Sequence, residues 1–81
     1  MKVGVYSLQK VLFQGTASAL HCKTANGEIT ILDHHRPLLS VLESGVMKIT
    51  DTEGRDHYVQ VASGFLEVTQ TNESRCIVDQ V

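Results

Sequence analysis

The run Gly27-Glu28-Ile29-Thr30-Ile31-Leu32-Asp33-His34-His35-Arg36-Pro37-Leu38-Leu39 changes character halfway along. Its first part alternates, with Ile29 and Ile31 on one side and Glu28 and Thr30 on the other. Successive side chains of an extended chain point to opposite faces, so this predicts a strand with one face in a core. Asp33 to Arg36 then break the pattern before Pro37-Leu38-Leu39 takes it up again. Pro37 suits either the first position of a short helical turn over Pro37–Glu43 or the start of a strand, and both stay open.

The same period of two recurs on either side. Val3 and Val5 alternate with Lys2, Gly4 and Tyr6 in a strand expected over Lys2–Leu8. Leu20 and Cys22, Val59 and Val61, and Leu66 and Val68 repeat the pattern. Turn chemistry separates these runs: Asn26-Gly27, Ser44-Gly45, Asp51-Thr52-Glu53-Gly54, Ser63-Gly64 and Thr71-Asn72-Glu73-Ser74. Gly54, three residues after Asp51, suits a type I turn with a left-handed position, closing a hairpin between Val46–Thr50 and His57–Ala62. Short alternating strands at this spacing predict an all-β sandwich or barrel.

Eighty-one residues make a small domain, and the sequence carries no linker, low-complexity tract or internal repeat. A chain of this length buries only about 60–65% of its unfolded surface, which predicts modest stability. The net charge is −2, with seven basic residues scattered singly, so a nucleic-acid partner is not expected. No apolar run approaches the roughly 18–20 residues that cross a bilayer, and no signal peptide is evident, which reads as cytosolic. Cys22 and Cys76 sit in no zinc or C-x-x-C spacing and read as buried free thiols, a disulfide being the lesser alternative.

Catalytic and metal chemistry find no support in the residue pattern. His34 and His35 are adjacent, so in an extended chain they point apart and do not share one ion with His21 or His57. A local backbone hydrogen bond is the expected role of His35. Ser44 and Ser63 lie in ordinary turn dipeptides, with no G-x-S-x-G, phosphate loop, dinucleotide fingerprint or H-E-x-x-H. Glu28 and Glu67 read as solvated outward residues of strands. The expectation is no catalytic residue, no cofactor and no metal.

Three segments in order, Val11-Leu12-Phe13-Gln14-Gly15, the Gly27–Leu39 run, and Gly64-Phe65-Leu66-Glu67-Val68, carry a resemblance that spans most of the chain. They resemble the N-terminal β-sandwich of the ε subunit of the rotary F-type ATP synthase, called δ in mitochondria. The resemblance implies a two-sheet sandwich of about 8–10 short, mainly antiparallel strands. It implies a non-catalytic rotor subunit of the central stalk that couples ion translocation to ATP synthesis or hydrolysis. The implied partners are the γ subunit and the polar loops of the c-ring, with the protein peripheral at the cytoplasmic face of a bacterial-type inner membrane. Glu28, Ile31, His35, Arg36, Leu38, Leu39 and Val41 fall in the segment that the family places at the c-ring end.

Departures from the family pattern are specific. His34 stands where the family has Gly, Arg36 replaces Ala, and Ser63 replaces the first Gly of a Gly-Gly pair. His34 therefore raises the question of backbone angle. Arg36 puts a cation on the expected ring face, where a buried unpaired charge is costly, so it is expected to reach solvent or to meet a carboxylate or carbonyl on the ring loop. The sequence stops where the family's C-terminal helical hairpin would begin after Asp79, so no hairpin is expected within residues 1–81 and all of them are read as one sandwich domain. The competing reading is a free-standing small β-sandwich that binds a ligand or peptide along a sheet edge.

Overall fold

One strand of 14 residues, Val11–Thr24, sets the architecture. In the computed structural model, which describes residues 1–80, it is the second of eight strands. They are β1 Lys2–Tyr6, β2 Val11–Thr24, β3 Gly27–Leu32, β4 Leu38–Leu42, β5 Gly45–Asp51, β6 Asp56–Val61, β7 Ser63–Val68 and β8 Glu73–Asp79. The first half of β2 pairs antiparallel with β1, from Tyr6↔Val11 to Lys2↔Thr16. Its second half pairs with β3 on one edge and β5 on the other, so Leu20 lies between Ile31 and Ile49. The same strand thus serves both layers of a sandwich.

One layer runs β1-β8-β7-β4, and the other holds β3, the second half of β2, β5 and β6. All pairings are antiparallel except β1 with β8. A single pair, Thr24↔Leu42, joins β4 back to β2, reinforced where the Ala25 N–H donates to the Val41 carbonyl at 3.0 Å. The core is where the inward sides of the alternation meet: Leu20, Cys22, Ile31, Met47, Ile49, Val59 and Val61 face Val3, Val5, Leu42, Leu66, Val68, Cys76 and Val78. Each fully buried Leu, Ile or Val contributes about 1.5–3 kcal/mol by leaving water. Truncating Leu20 or Leu66, both without exposed surface, would cost about 2–5 kcal/mol. A domain of this size has of order 5–10 kcal/mol in total, so one such change suffices to unfold much of it.

Three sequence expectations are resolved or corrected by tertiary pairing. Pro37 stands just outside a strand, because Leu38–Leu42 finds β7 beside it from Leu38↔Val68 to Leu42↔Gly64. The first strand ends at Tyr6, two residues short of Leu8, where Ser7 turns the chain by accepting from the Gln9 and Lys10 N–H groups. Ser63-Gly64 is no turn but the start of β7. Gly64 is there because a methyl group would collide with the carbonyl oxygen of Ile77 and lie 3.0 Å from Val78 Cα. The β5–β6 hairpin forms where expected: the Gly54 N–H donates to the Asp51 carbonyl at 3.0 Å, and Gly54 is left-handed at φ 82°. Every element among the described residues is a strand.

Candidate functional site

Two surfaces stand out, a turn at one end of the molecule and one outer face of the sandwich. The turn is the break between β3 and β4. His34 occupies the left-handed region at φ 60°, so the position keeps a conformation that Gly favours while carrying a side chain. The His35 N–H donates to the Leu32 carbonyl at 3.2 Å, and the His35 ring nitrogen Nδ1 donates to the Arg36 carbonyl at 2.6 Å. That is the local backbone bond expected of His35. Asp33 is tied from two sides: the Met1 α-ammonium lies 2.5 Å from its Oδ1, and Asn72 Nδ2 donates to the same oxygen at 3.4 Å. Those bonds, the ammonium first and Asn72 second, hold its carboxyl below the usual carboxylate range. Arg36 and Pro37 project into solvent, and among the described residues Arg36 has no carboxylate within ion-pair distance.

The outer face of β4, β7 and β8 is the second surface. Register places Val41 beside Phe65, Phe65 beside Ile77 and Ile77 beside Tyr6. Val41, Phe65 and Ile77 are 47%, 60% and 52% exposed, so the row is an open apolar stripe across neighbouring strands. Leu39, 77% exposed, flanks it in the next row, where Glu67 and Arg75 pair at 3.4 Å. The opposite outer face is mixed, with Leu32, Val46 and Tyr58 exposed among polar and charged side chains. There His21 bonds Thr30 Oγ1 at 2.8 Å through Nδ1 and Glu28 at 3.0 Å through Nε2, with Lys48 and Tyr58 alongside. Thr30, His21 and Glu28 match a nucleophile–base–acid set in residue type, but they lie open on a strand surface in water. Nothing there desolvates a charge or activates a hydroxyl.

The candidate residues from sequence do not form one patch. His35 and Arg36 sit on the turn, and Leu39 and Val41 on the outer face of β4. Glu28 lies at the far end of β3 from the turn and faces the other way, onto His21. Ile31 has no exposed surface and is a packing residue, whereas Leu38 is half-buried against the core and keeps part of its surface open. Phe65, Ile77 and Tyr6 belong to the apolar stripe without having been singled out in sequence. Their signal was present: each is an outward residue of an alternating strand that is nonetheless apolar or aromatic. Asn72 gave no such signal.

The thiols are structural. Cys22 and Cys76 are free and buried in the shared core, and burial pushes their pKa values up to about 11 and about 12. Among the described residues no group of three or more His, Cys, Asp or Glu side chains is placed to hold a metal ion. No described helix is long and apolar enough to cross a membrane.

Comparison with known proteins places this arrangement. Residues 1–80 match the family model described as the β-sandwich domain of the ATP synthase delta/epsilon chain. The chain is 44% identical over 64 residues to an ATP synthase epsilon chain of Corynebacterium urealyticum, covering 78% of this chain and 52% of that one. It is 37% identical over 68 residues to the ATP synthase epsilon chain of Micrococcus luteus, covering 84% of this chain and 75% of the relative. The chain thus spans about half the length of the first of these relatives. Its fold superimposes with TM-score 0.89 and 18% identity on a chain of the Euglena gracilis mitochondrial ATP synthase OSCP/F1/c-ring structure, over 96% of this chain and 49% of that one. It superimposes with TM-score 0.83 and 20% identity on a chain of the Tetrahymena thermophila mitochondrial ATP synthase central stalk and c-ring structure, over 99% of this chain and 63% of that one. On its sequence and its two-layered strand order, the chain belongs to the β-sandwich family of ATP synthase delta/epsilon chains.

Proposed function

We propose that this chain serves as a non-catalytic rotor subunit in the central stalk of an F-type ATP synthase. In this reading residues 1–81 act as one sandwich domain, a docking wedge that joins the γ subunit to the c-ring and transmits ion-driven rotation. The observation that carries it is the unbroken apolar row across the outer face of β4, β7 and β8. The stripe Val41–Phe65–Ile77 is uncovered and continuous from strand to strand, whereas on the other outer face Val46 stands beside Gln60 and Tyr58 beside Lys48. Contiguous exposed apolar residues on a small soluble fold mark a surface that another protein covers. We assign that stripe, with Leu39, to γ. The turn carrying His35 and Arg36 is assigned to the polar loops of the c-ring. The relatives named ATP synthase epsilon chain, and the central-stalk and c-ring assemblies that contain the similar folds, support this reading. The protein would then be a peripheral part of a membrane-bound complex, at the cytoplasmic face of a bacterial-type inner membrane, with no cofactor of its own.

Purified γ tests the assignment. A partner that binds only the folded form at 100 times its Kd adds about 2.7 kcal/mol of stability. The thermal midpoint should therefore rise by several degrees at saturating γ. Phe65→Ser should leave the midpoint of the free chain nearly unchanged, because the side chain is exposed, and should weaken γ binding tenfold or more, as loss of a central aromatic anchor does. An unchanged midpoint with γ in excess would remove the basis for the docking role.

A further inference from the structure

Two turns at the same end of the molecule are locked together by one side-chain amide. Asn72, in the turn between β7 and β8, accepts a hydrogen bond from the His34 N–H at its Oδ1, 2.7 Å away, and donates from Nδ2 to Asp33 Oδ1 at 3.4 Å. Rotating the amide by half a turn would set an NH2 group against an N–H and an oxygen against a carboxylate, so the bridge has one sensible orientation. Both His34 and Asn72 are non-glycine residues at φ 60°. Asn tolerates that region better than most side chains and offers both a donor and an acceptor, which fits it to span the two turns. The segment it grips, Asp33–Pro37, lies outside the strands and presents Arg36 and Pro37 to solvent. Left free, each of those residues would cost about 1–2 kcal/mol to order when a partner docked.

We propose that Asn72 is a positioning residue for docking: it fixes the His34–Pro37 turn in its binding conformation before the ring loops arrive. This rests on the docking role given above for that turn, and it assigns the preorganisation to a residue 38 positions away in sequence. Neither side chain of the bridge touches the partner; their effect passes through the backbone of His34. Asn72→Gly separates this role from a purely local one, since Gly keeps the left-handed turn and removes only the bridge. Asn72→Asp alone would set a second carboxylate against Asp33, so it is combined with Asp33→Asn, which keeps the acceptor for the His34 N–H and returns a donor from position 33.

The test uses the full chain and a reconstituted γ–c-ring subassembly. It reads the thermal midpoint, the hydrogen-exchange rate of the His34 amide, and the affinity for the subassembly. Asn72→Gly should keep a midpoint close to wild type while His34 exchange accelerates and affinity falls about three- to tenfold, the worth of one or two net hydrogen bonds. The swapped pair Asp33→Asn with Asn72→Asp should restore slow exchange of the His34 amide and most of the affinity. Wild-type affinity in Asn72→Gly overturns the proposal, whether or not exchange changes. A swapped pair as weak as Asn72→Gly removes the acceptor from the argument and overturns it too. A wild-type chain that fails to bind the subassembly sinks the docking role itself. Wild-type binding with an indifferent Asn72→Gly sinks only the positioning role.

Discussion

Asp51 closes the β5–β6 hairpin with its side chain as much as with its backbone. Oδ1 accepts from the N–H groups of Glu53 at 2.9 Å and Arg55 at 3.0 Å, while Oδ2 meets His57 Nε2 at 2.9 Å and Arg55 Nε at 3.4 Å. His57 is itself braced by Phe13, ring centroids 5.1 Å apart. The bond from His57, followed by that from the Arg55 backbone, holds the Asp51 carboxyl well below the usual carboxylate range. The unfolded chain therefore takes up the proton first. The stability that Asp51 adds is intact above the ordinary Asp pKa of about 3.9 and drains away as the pH falls towards its folded value. Thermal melts between pH 7 and pH 2 should show a weaker acid dependence for Asp51→Asn than for wild type, with the difference developing below about pH 4. At Gly64 the expectation is steric. Gly64→Ala drives a methyl into the β8 backbone and should cost about 1–3 kcal/mol, as overpacking does. Gly15→Ala is the control: its methyl would meet Phe13 at an ordinary 3.7 Å and should shift stability by less than about 1 kcal/mol.

The β3–turn–β4 element carries most of what was legible about the site. Ile29 and Ile31 announced a strand, and Pro37-Leu38-Leu39 announced a second element without saying which kind, since the seven residues Pro37–Glu43 with Pro at the front suit a short helical turn or a strand. Pairing with β7 decided it. Burial likewise sorted the candidates: Leu39 and Val41 project outward, while Leu38 and Ile31 turn into the core. Arg36 stands free of any carboxylate among the described residues, so a charge-reversing change tests its role without disturbing an internal pair. Arg36→Glu should leave the fold and its melting intact, as exposed substitutions do to within about 0.5 kcal/mol. It should lower coupling in the assembled enzyme, measured as ATP-driven ion pumping per ATP hydrolysed. Undiminished coupling would show that no carboxylate or carbonyl of the ring meets this cation.

For the molecule as a whole, the two thiols report on the integrity of the core. Cys22 comes from one layer and Cys76 from the other, and both are buried where the layers meet. With pKa values raised to about 11 and about 12 by burial, neither is a thiolate at neutral pH. A thiol reagent at pH 8 should therefore label both at one common rate set by opening of the sandwich, and Leu20→Ala should speed that rate in proportion to the stability lost. Separate rates would mean that the layers open independently. The sign with alkali is opposite to that of Asp51. A thiol whose folded pKa lies above its unfolded value keeps its contribution below the ordinary value of about 8.5 and loses it as the pH climbs further. Stability should decline from about pH 8.5 upward, and replacing both Cys with Ala should flatten that decline.

At this scale sequence and structure divide the work cleanly. Alternation in short runs made the chain all-β, and Asp51–Gly54 located a hairpin, because both signals depend only on neighbours along the backbone. The absence of any acid–base or nucleophile pattern and the ordered family segments also lay in the primary chain. What required the folded form was everything that depends on which strands become neighbours. That includes the passage of β2 through both layers, the alignment of Val41, Phe65 and Ile77 from three strands into one stripe, and the bridge from Asn72 to His34. A single strand's pattern says which side chains face out; only cross-strand register says what they stand beside.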